Sequence, residues 1–515
     1  MANAATKPFA FLLNKIKVGI FGSIQLYYLI MFLGLISLIL SRMTIAMADP
    51  DLWGYLSFGR LFSTTQKFPY QDVFAYTPTR SIWIYHEWLS GIILYYIDHV
   101  FGPAGLQFIK YILGLGAAFL IFLTARLRGA SITACAISLL LISPMFSFSY
   151  SPVRAQIFTI LFFSATLFIL EYFRISGKKS LLFLLPFIMI FWANLHGGFV
   201  AGLGMIALYI ILSTYGKRKY VFPCFILALS TAVTLINPYG LKYWIYLMDA
   251  IAMARPDIGE WQSVLWALNS GEYLSNALYS FFLFAFTMMI IIYSKKIKII
   301  DILLIAITSY LAFRHIRHQS FLFVIAGCIL PGYFMTAWEK ITRRSPEKAA
   351  RWSKLSEILW PVIFLVFFIF FGFRFFTAQP LSLQVFSNAE DHSITNHYPD
   401  SAVEYIRQSS LQGNMLTEFD WGEYIIWRLP DKCRIAMDGR YETVYPQNLC
   451  TEYFDFYYGK AGWQKFLDAY PHELILLRPE SVATALIRSR SEWRQEYIDS
   501  NSVLFVRNNK LNIIR

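Results

Sequence analysis

The residues best equipped for chemistry in this sequence stand at the ends of apolar runs. Asp49-Pro50-Asp51 sets two carboxylates one residue apart where the first long apolar run stops. The pattern reads in two ways. Asp49 can cap a helix, with Pro50 at its first position and Asp51 against its dipole, or the pair can act as general base and as ligand for a substrate or metal. Tyr85-His86-Glu87-Trp88 offers a third carboxylate. Glu87 could simply cap the helix it opens. Brought beside Asp51, it would complete the paired acids that a displacement at a sugar carbon uses.

Basic residues supply the complementary set. Arg154 lies between two apolar runs, and Arg314-His315-Ile316-Arg317-His318 lies between two others. Arginine suits bidentate contact with phosphate, and two or three around one point would stabilise a phosphate leaving group. Lys110 could join them, and His315 or His318 could protonate the departing group, since imidazole titrates near neutrality. The competing reading is snorkelling to lipid headgroups, which explains a single arginine better than this cluster. Asn194 and His196, in Trp192-Ala193-Asn194-Leu195-His196-Gly197-Gly198, could orient a sugar hydroxyl or the acids, whereas Asn237-Pro238-Tyr239-Gly240 is an ordinary turn signal.

The elements that must position these residues are membrane spans. Of 515 residues, 57% are apolar and only 15% charged, too few charges for an ordinary soluble enzyme, a disordered chain or a fibrous repeat. Hydropathy predicts a polytopic α-helical membrane protein with about eleven spans, near 24–46, 104–125, 131–149, 156–173, 181–195, 199–214, 221–236, 274–293, 299–313, 319–338 and 356–376. Several are short, so broken helices are expected. Residues 1–376 then form a transmembrane domain and 377–515 a small α/β domain.

The net charge of +13 is a topology signal, because one set of loops carries 20 basic residues against five acidic ones. Those loops are expected in the cytoplasm, with the N-terminus. The C-terminal domain is then extracytoplasmic, as are all eight histidines and a long first outer loop of about 48–103. Within that loop Asp51 to Ser63 predicts an interfacial helix. His86 to Phe101 is apolar enough to span, yet counting it would invert every later loop, so it is expected to lie in the outer leaflet. The C-terminal domain has net charge −4, which suits no nucleic acid. An oxidising compartment would permit a Cys433 to Cys450 disulfide.

In order and spacing, the motifs resemble the GT-C superfamily of integral-membrane glycosyltransferases, and within it the bacterial lipid-linked-sugar mannosyltransferase-like group. The motifs are Asp49-Pro50-Asp51-Leu52-Trp53, His86-Glu87-Trp88-Leu89, Arg154, Trp192 to Gly198, Asn237 to Gly240, Asp420-Trp421-Gly422-Glu423-Tyr424 and Asp438-Gly439-Arg440. The resemblance implies a transferase in the bacterial inner membrane that takes a sugar from a polyprenyl-phosphate donor at the outer face and passes it to a lipid, glycan or protein acceptor. It puts the catalytic carboxylate at Asp49 or Asp51, with Glu87 as partner. Together with the reading of the residues, His86, Lys110, Arg154, Asn194, His196, Arg314, His315, Arg317 and His318 are expected around the substrates, and the resemblance alone puts Asp438 and Arg440 over the cavity. A divalent ion, Mg or Mn, would fall to Asp49, Asp51 and Glu87. The alternatives are a transporter or flippase of a lipid-linked or anionic substrate, and an O-antigen polymerase or ligase type of glycan transferase.

Overall fold

A computed structural model of the chain describes residues 24–44, 48–150, 152–214, 221–253, 255–295, 298–383 and 398–508. Each of the eleven apolar segments forms helix. Five helices are long and apolar enough to cross a membrane, or six when Ile132–Ile142 and Pro144–Tyr150, bent by 53° at Ser143, count as one broken span. Shorter apolar helices, such as Leu26–Arg42, Ser180–Leu195 and Phe199–Leu212, pack among them. On the Pro346–Thr377 helix Val366, Ile369, Phe373 and Phe376 are exposed, a face that water would not tolerate and that lipid accommodates. The chain is a polytopic membrane protein.

The ambiguous segment from His86 resolves at Gly102. Trp88–Leu127 is one 40-residue helical element whose regularity breaks at that glycine, with φ 62° and ψ −162°, followed by Pro103. Only glycine adopts this backbone readily, and the proline starts the next helix without missing its own N–H. Residues 88–101 are therefore set off by a kink from the helix that begins after them.

Away from the site, the ends of five helices are joined by buried charges. Arg128 pairs with Glu171 at 3.0 Å and Asp301 at 2.5 Å, and Arg174 takes Glu171 in a two-point contact at 3.0 and 2.7 Å. Tyr209 donates to Glu171 and Tyr333 to Asp301. The two positive and two negative groups balance.

The C-terminal domain carries a five-stranded mixed sheet in the order β2-β1-β3-β5-β4, made of β1 (Gly413–Thr417), β2 (Cys433–Ile435), β3 (Leu474–Leu477), β4 (Trp493–Ile498) and β5 (Val503–Arg507). Strand β1 runs parallel to β2 and β3, and β5 antiparallel to β3 and β4. Strand β4 is the edge strand, with Arg494 and Gln495 exposed. Cys433 and Cys450 are buried free thiols, so the disulfide that the compartment would permit is not formed.

This domain does not hang from a linker. Leu52, Trp53, Phe58, Trp83 and Tyr85 of the first loop share one apolar core with Tyr398, Trp421, Tyr424, Met437 and Tyr445. The loop also joins the sheet: Ile435 N–H donates to Phe74 O and Tyr76 N–H to Ile435 O, at 3.0 and 3.2 Å. Arg60 donates to the carbonyls of Ile426 and Trp427, each at 2.9 Å, and stacks on Trp427.

Arg128→Ala leaves buried Asp301 without its cation while Arg174 still holds Glu171, a loss of about 3–5 kcal/mol. A marked fall in the thermal unfolding midpoint of the detergent-purified protein is expected; an unchanged midpoint would show the cluster to be incidental.

Candidate functional site

The site is built on the start of the Pro50–Thr65 helix. Asp49 has extended backbone, and its Oδ1 accepts the Asp51 N–H at 3.1 Å with Pro50 at the first helical position. The capping reading is therefore realised, and the functional one survives beside it. Arg154 reaches this turn from another helix end: its Nε lies 2.7 Å from Asp49 Oδ2, its Nη2 3.6 Å from Asp51 Oδ2, and its Nη1 donates to Glu260 Oε2 at 2.9 Å. Glu260 Oε1 in turn stands 3.3 Å from Arg317 Nη1. The side chain of Asp49 is 9% exposed and that of Asp51 40%, so Asp49 is spent on the cap and the arginine while Asp51 keeps an open face.

Glu87 is held from three sides. Tyr55 donates to its Oε2 at 2.9 Å, and Nε2 of His196 and of His86 lie 3.4 and 3.7 Å from its Oε1. The His196 tautomer follows from its neighbours. Nδ1 accepts the Gly198 N–H at 3.0 Å and stands 2.8 Å from the Thr159 hydroxyl, which itself accepts from Trp192 Nε1. The ring proton is therefore on Nε2, aimed at Glu87. Backbone placement of the segment is set by Tyr239, whose hydroxyl accepts the Tyr85 N–H at 2.9 Å. His86 lies against the rings of Tyr243 and Tyr246.

Neighbouring charge separates the acids. Burial, then Asp51, raises Glu87 to about 8, against the opposing Tyr55 hydrogen bond. Asp51 is pushed up to about 7, first by removal from bulk water and then by Asp49 and Glu260, with Arg154 working the other way. Its side chain is nonetheless 40% exposed, so the carboxyl can be reached from outside the cluster. Burial would raise Glu260 as well, but Arg154 and Arg317 outweigh it and bring it to about 2. Burial lowers His86 to about 4 and His196 well below its usual value, with Arg317 adding to both. Near neutrality the site thus holds an ionised Glu260, Asp51 and Glu87 close to their titration points, and neutral His86 and His196, while Asp49 is pushed up by burial against the pull of Arg154.

Several expected residues do other work. Asn194 is buried with its amide spent on Trp88 Nε1 and the carbonyls of Ile190 and Ile236, so it holds helices together instead of facing a hydroxyl. Arg314 is exposed and forms no ion pair among the described residues, unlike Arg317 three residues on. His315 Nδ1 donates to Trp261 O at 2.6 Å, and both His315 and His318 pack against the Trp261 ring. Lys110 is fully buried along the Trp88–Leu127 helix, where its neighbours Gln107 and Tyr111 donate to Ser382 O and Pro380 O; it is not one of the partners of Asp49, Asp51 or Glu260. Asp438 and Arg440 do not reach over a cavity. They form a buried clamp with Asp72, with Arg440 lying over Phe74 and Trp83. His392 and His397 fall outside the described residues.

Among the described residues no three carboxylates, imidazoles or thiols stand together as metal ligands require. A divalent ion on Asp49, Asp51 and Glu87 does not fit this donor set, because the Arg154 guanidinium supplies the positive charge between the two aspartates.

Glu260, Trp261 and Arg255 are the residues sequence reasoning missed. Arg255 and Arg317 stack on the Trp261 ring at 4.1 and 4.4 Å, and Arg255 pairs with Glu442 of the C-terminal domain at 2.8 Å. The signal was there in Arg255-Pro256-Asp257-Ile258-Gly259-Glu260-Trp261, a polar stretch with a tryptophan between two apolar runs.

No family model matches the chain, and no curated protein matches it. Its architecture is similar to that of ArnT from Cupriavidus metallidurans. The crystal structure of that protein bound to undecaprenyl phosphate aligns with a TM-score of 0.53 at 13% identity, over 94% of this chain and 98% of that one. The apo state of the same protein aligns at 0.48 and 12% identity, over 98% of each chain. The likeness to the first is one of fold, and it agrees with the GT-C-like architecture the motifs imply.

A hydrophobic carbodiimide, which attacks protonated carboxyls, is expected to label Glu87 at pH 7 and to lose that reaction as pH rises through about 8, while Glu260 stays unlabelled. In Glu260→Gln the midpoint for Asp51 should fall below about 7, since a neighbouring negative charge is gone. Peptide mass spectrometry across pH reads both; labelling of Glu260 at pH 7 would contradict the charge assignment.

Proposed function

We propose that this protein is a glycosyltransferase that moves a sugar from a polyprenyl-phosphate-linked donor to a hydroxyl of a lipid, glycan or protein acceptor. The reaction takes place at the membrane face that carries the C-terminal domain. In a bacterial inner membrane with a cytoplasmic N-terminus, that face is the outer one. The observation that carries the reading is the meeting of a part-exposed Asp51 carboxylate with Arg154, Glu260 and Arg317 in one cluster, in a fold shared with a protein crystallised with undecaprenyl phosphate. Within the GT-C class, the Asp-x-Asp-Leu-Trp and His-Glu-Trp-Leu elements support the mannosyltransferase-like group.

In this mechanism Asp51 takes the proton of the acceptor hydroxyl as that oxygen bonds to the anomeric carbon. The bond from carbon to phosphate oxygen breaks, and its electron pair leaves with the lipid phosphate. Arg154 and Arg317, 23% and 20% exposed, meet the charge that develops there, and interactions of this kind lower the barrier only if they strengthen in the transition state. Glu87 and the Nε2–H of His196 hold the acceptor. Asp49 stays tied to Arg154 and fixes that guanidinium, which makes Asp51 the base of the pair.

Purified protein incubated with a panel of polyprenyl-phosphate sugars is expected to release free lipid phosphate. Asp51→Asn should cost at least about 10²-fold in kcat, the usual contribution of a positioned base, and a fully active Asp51→Asn protein rejects the assignment. The rate should climb as pH rises through about 7, where Asp51 ionises; a rate that falls over that range would exclude a carboxylate base of this kind.

A further inference from the structure

Two motifs of the C-terminal domain, around Glu423 and around Asp438 to Arg440, take no part in the transfer as outlined. Both converge on Asp51. Glu423 opens the Gly422–Arg428 helix and is 3% exposed. Its Oε2 accepts the Gly54 N–H at 2.9 Å, so a carboxyl of the C-terminal domain reaches the first turn of the helix that bears Asp51. Gly54 is required for this approach, since a Cβ there would stand 2.2 Å from Oε2 and 2.6 Å from Cδ. The other oxygen and Asp51 both border Gly439: a Cβ there would lie 3.1 Å from Glu423 Oε1 and 3.5 Å from Asp51 Oδ1. Two carboxyls from opposite ends of the chain thus flank the same glycine, Gly439. Gly422 rests directly on Asp438, where a Cβ would fall 2.5 Å from the aspartate Cβ, and the Asp438, Arg440 and Asp72 clamp fixes that turn.

We infer that Glu423 is a positioning residue for Asp51, by which the C-terminal domain completes the active centre and sets the orientation and proton occupancy of the base. The inference rests on Asp51 as the base. Burial first, then Asp51 and Asp438, push Glu423 well above the carboxylate range, against Arg440 and the Gly54 N–H. It is therefore a neutral acid when Asp51 first ionises, and its O–H is available to the Asp51 carboxylate. The charged and titratable groups facing it are Asp51 from the Pro50–Thr65 helix, Asp438 and Arg440 from the turn after β2, and Tyr85 from the segment before Trp88. Ionisation of Glu423 at higher pH would set a second negative charge beside the base and disturb the pair, which titrates in two coupled steps.

The experiment measures kcat and donor KM against pH for the full-length protein and for Glu423→Ala, Glu423→Gln and Asp51→Asn, with polyprenyl-phosphate sugar as substrate and lipid phosphate release as readout. Glu423→Ala is expected to lower kcat by about 10- to 100-fold, as misplacement of a reacting group does, with donor KM within about twofold. Glu423→Gln, which keeps the shape and the neutral donor, should recover most of that loss and should also lack the basic limb that Glu423 imposes on the wild-type profile. A role in folding alone would leave that limb in place. If Glu423→Ala does not fold, the Glu423→Gln profile decides alone: an unchanged basic limb overturns the inference. Wild-type kcat and profile in Glu423→Ala, beside an inactive Asp51→Asn, overturns it while leaving the base assignment intact. An active Asp51→Asn overturns the base assignment itself.

Discussion

The short helix from Pro50 to Thr65 is wedged between two bodies, and the rest of the molecule depends on that wedge. One side packs on the Trp88 helix, where Gly59 is close enough to Tyr95 that a Cβ would meet its Cβ at 2.2 Å. The other side meets the Gly422–Arg428 helix through Gly54 and Arg60. Its apolar residues Leu52, Trp53, Leu56 and Phe58 are almost fully buried. With both faces covered by packed protein, the N-terminal turn has no freedom to drift, and that turn carries Asp49 and Asp51. Close-packed interiors transmit position well because they deform little.

Upon this rigid turn, one guanidinium organises the charge. Arg154 faces Asp49, Asp51 and Glu260, and its three nitrogens are divided among them. One cation cannot compensate three anions in a buried setting, so Glu260, which also has Arg317, stays ionised and Asp51 moves toward neutrality. Glu87, with only neutral donors in hydrogen-bond reach, goes further up. The spread of proton affinities across carboxyls of similar intrinsic acidity is thus a matter of how the arginines are shared. Paired acids pushed apart in this way are what acid and base assignments rest on.

Much of this was legible in the sequence, and the reasons differ from residue to residue. Hydropathy located the long apolar helices, because that signal comes from residues acting one at a time. Asp49, Asp51, Glu87 and Arg154 stood out because ionisable groups at span ends have few ordinary explanations. Glu260 did not, since one glutamate in a polar loop looks like any solvated charge until Arg154 and Arg317 are seen on either side of it. Asp438 and Arg440 were legible as important but not as a clamp. Their partner Asp72 lies more than 360 positions away, and no local pattern encodes a pairing of that kind. Asn194 misled for the opposite reason: a buried amide beside a glycine turn invites a functional reading, yet here it satisfies carbonyls that helix ends leave open.

The single apolar core shared by residues 48–106 and 398–506 bears on how the molecule is made. The first loop emerges early in synthesis, and the surface that covers it follows about 350 residues later. Until then Trp53, Trp83 and Tyr85 have nowhere to bury their rings, and the closing step joins segments about 350 residues apart, the slowest sort of contact to form. A chain cut short at its final strands would insert its helices and still leave the loop bare. Burial of the first loop thereby waits on synthesis of the C-terminal domain, and until then its aromatics stay uncovered.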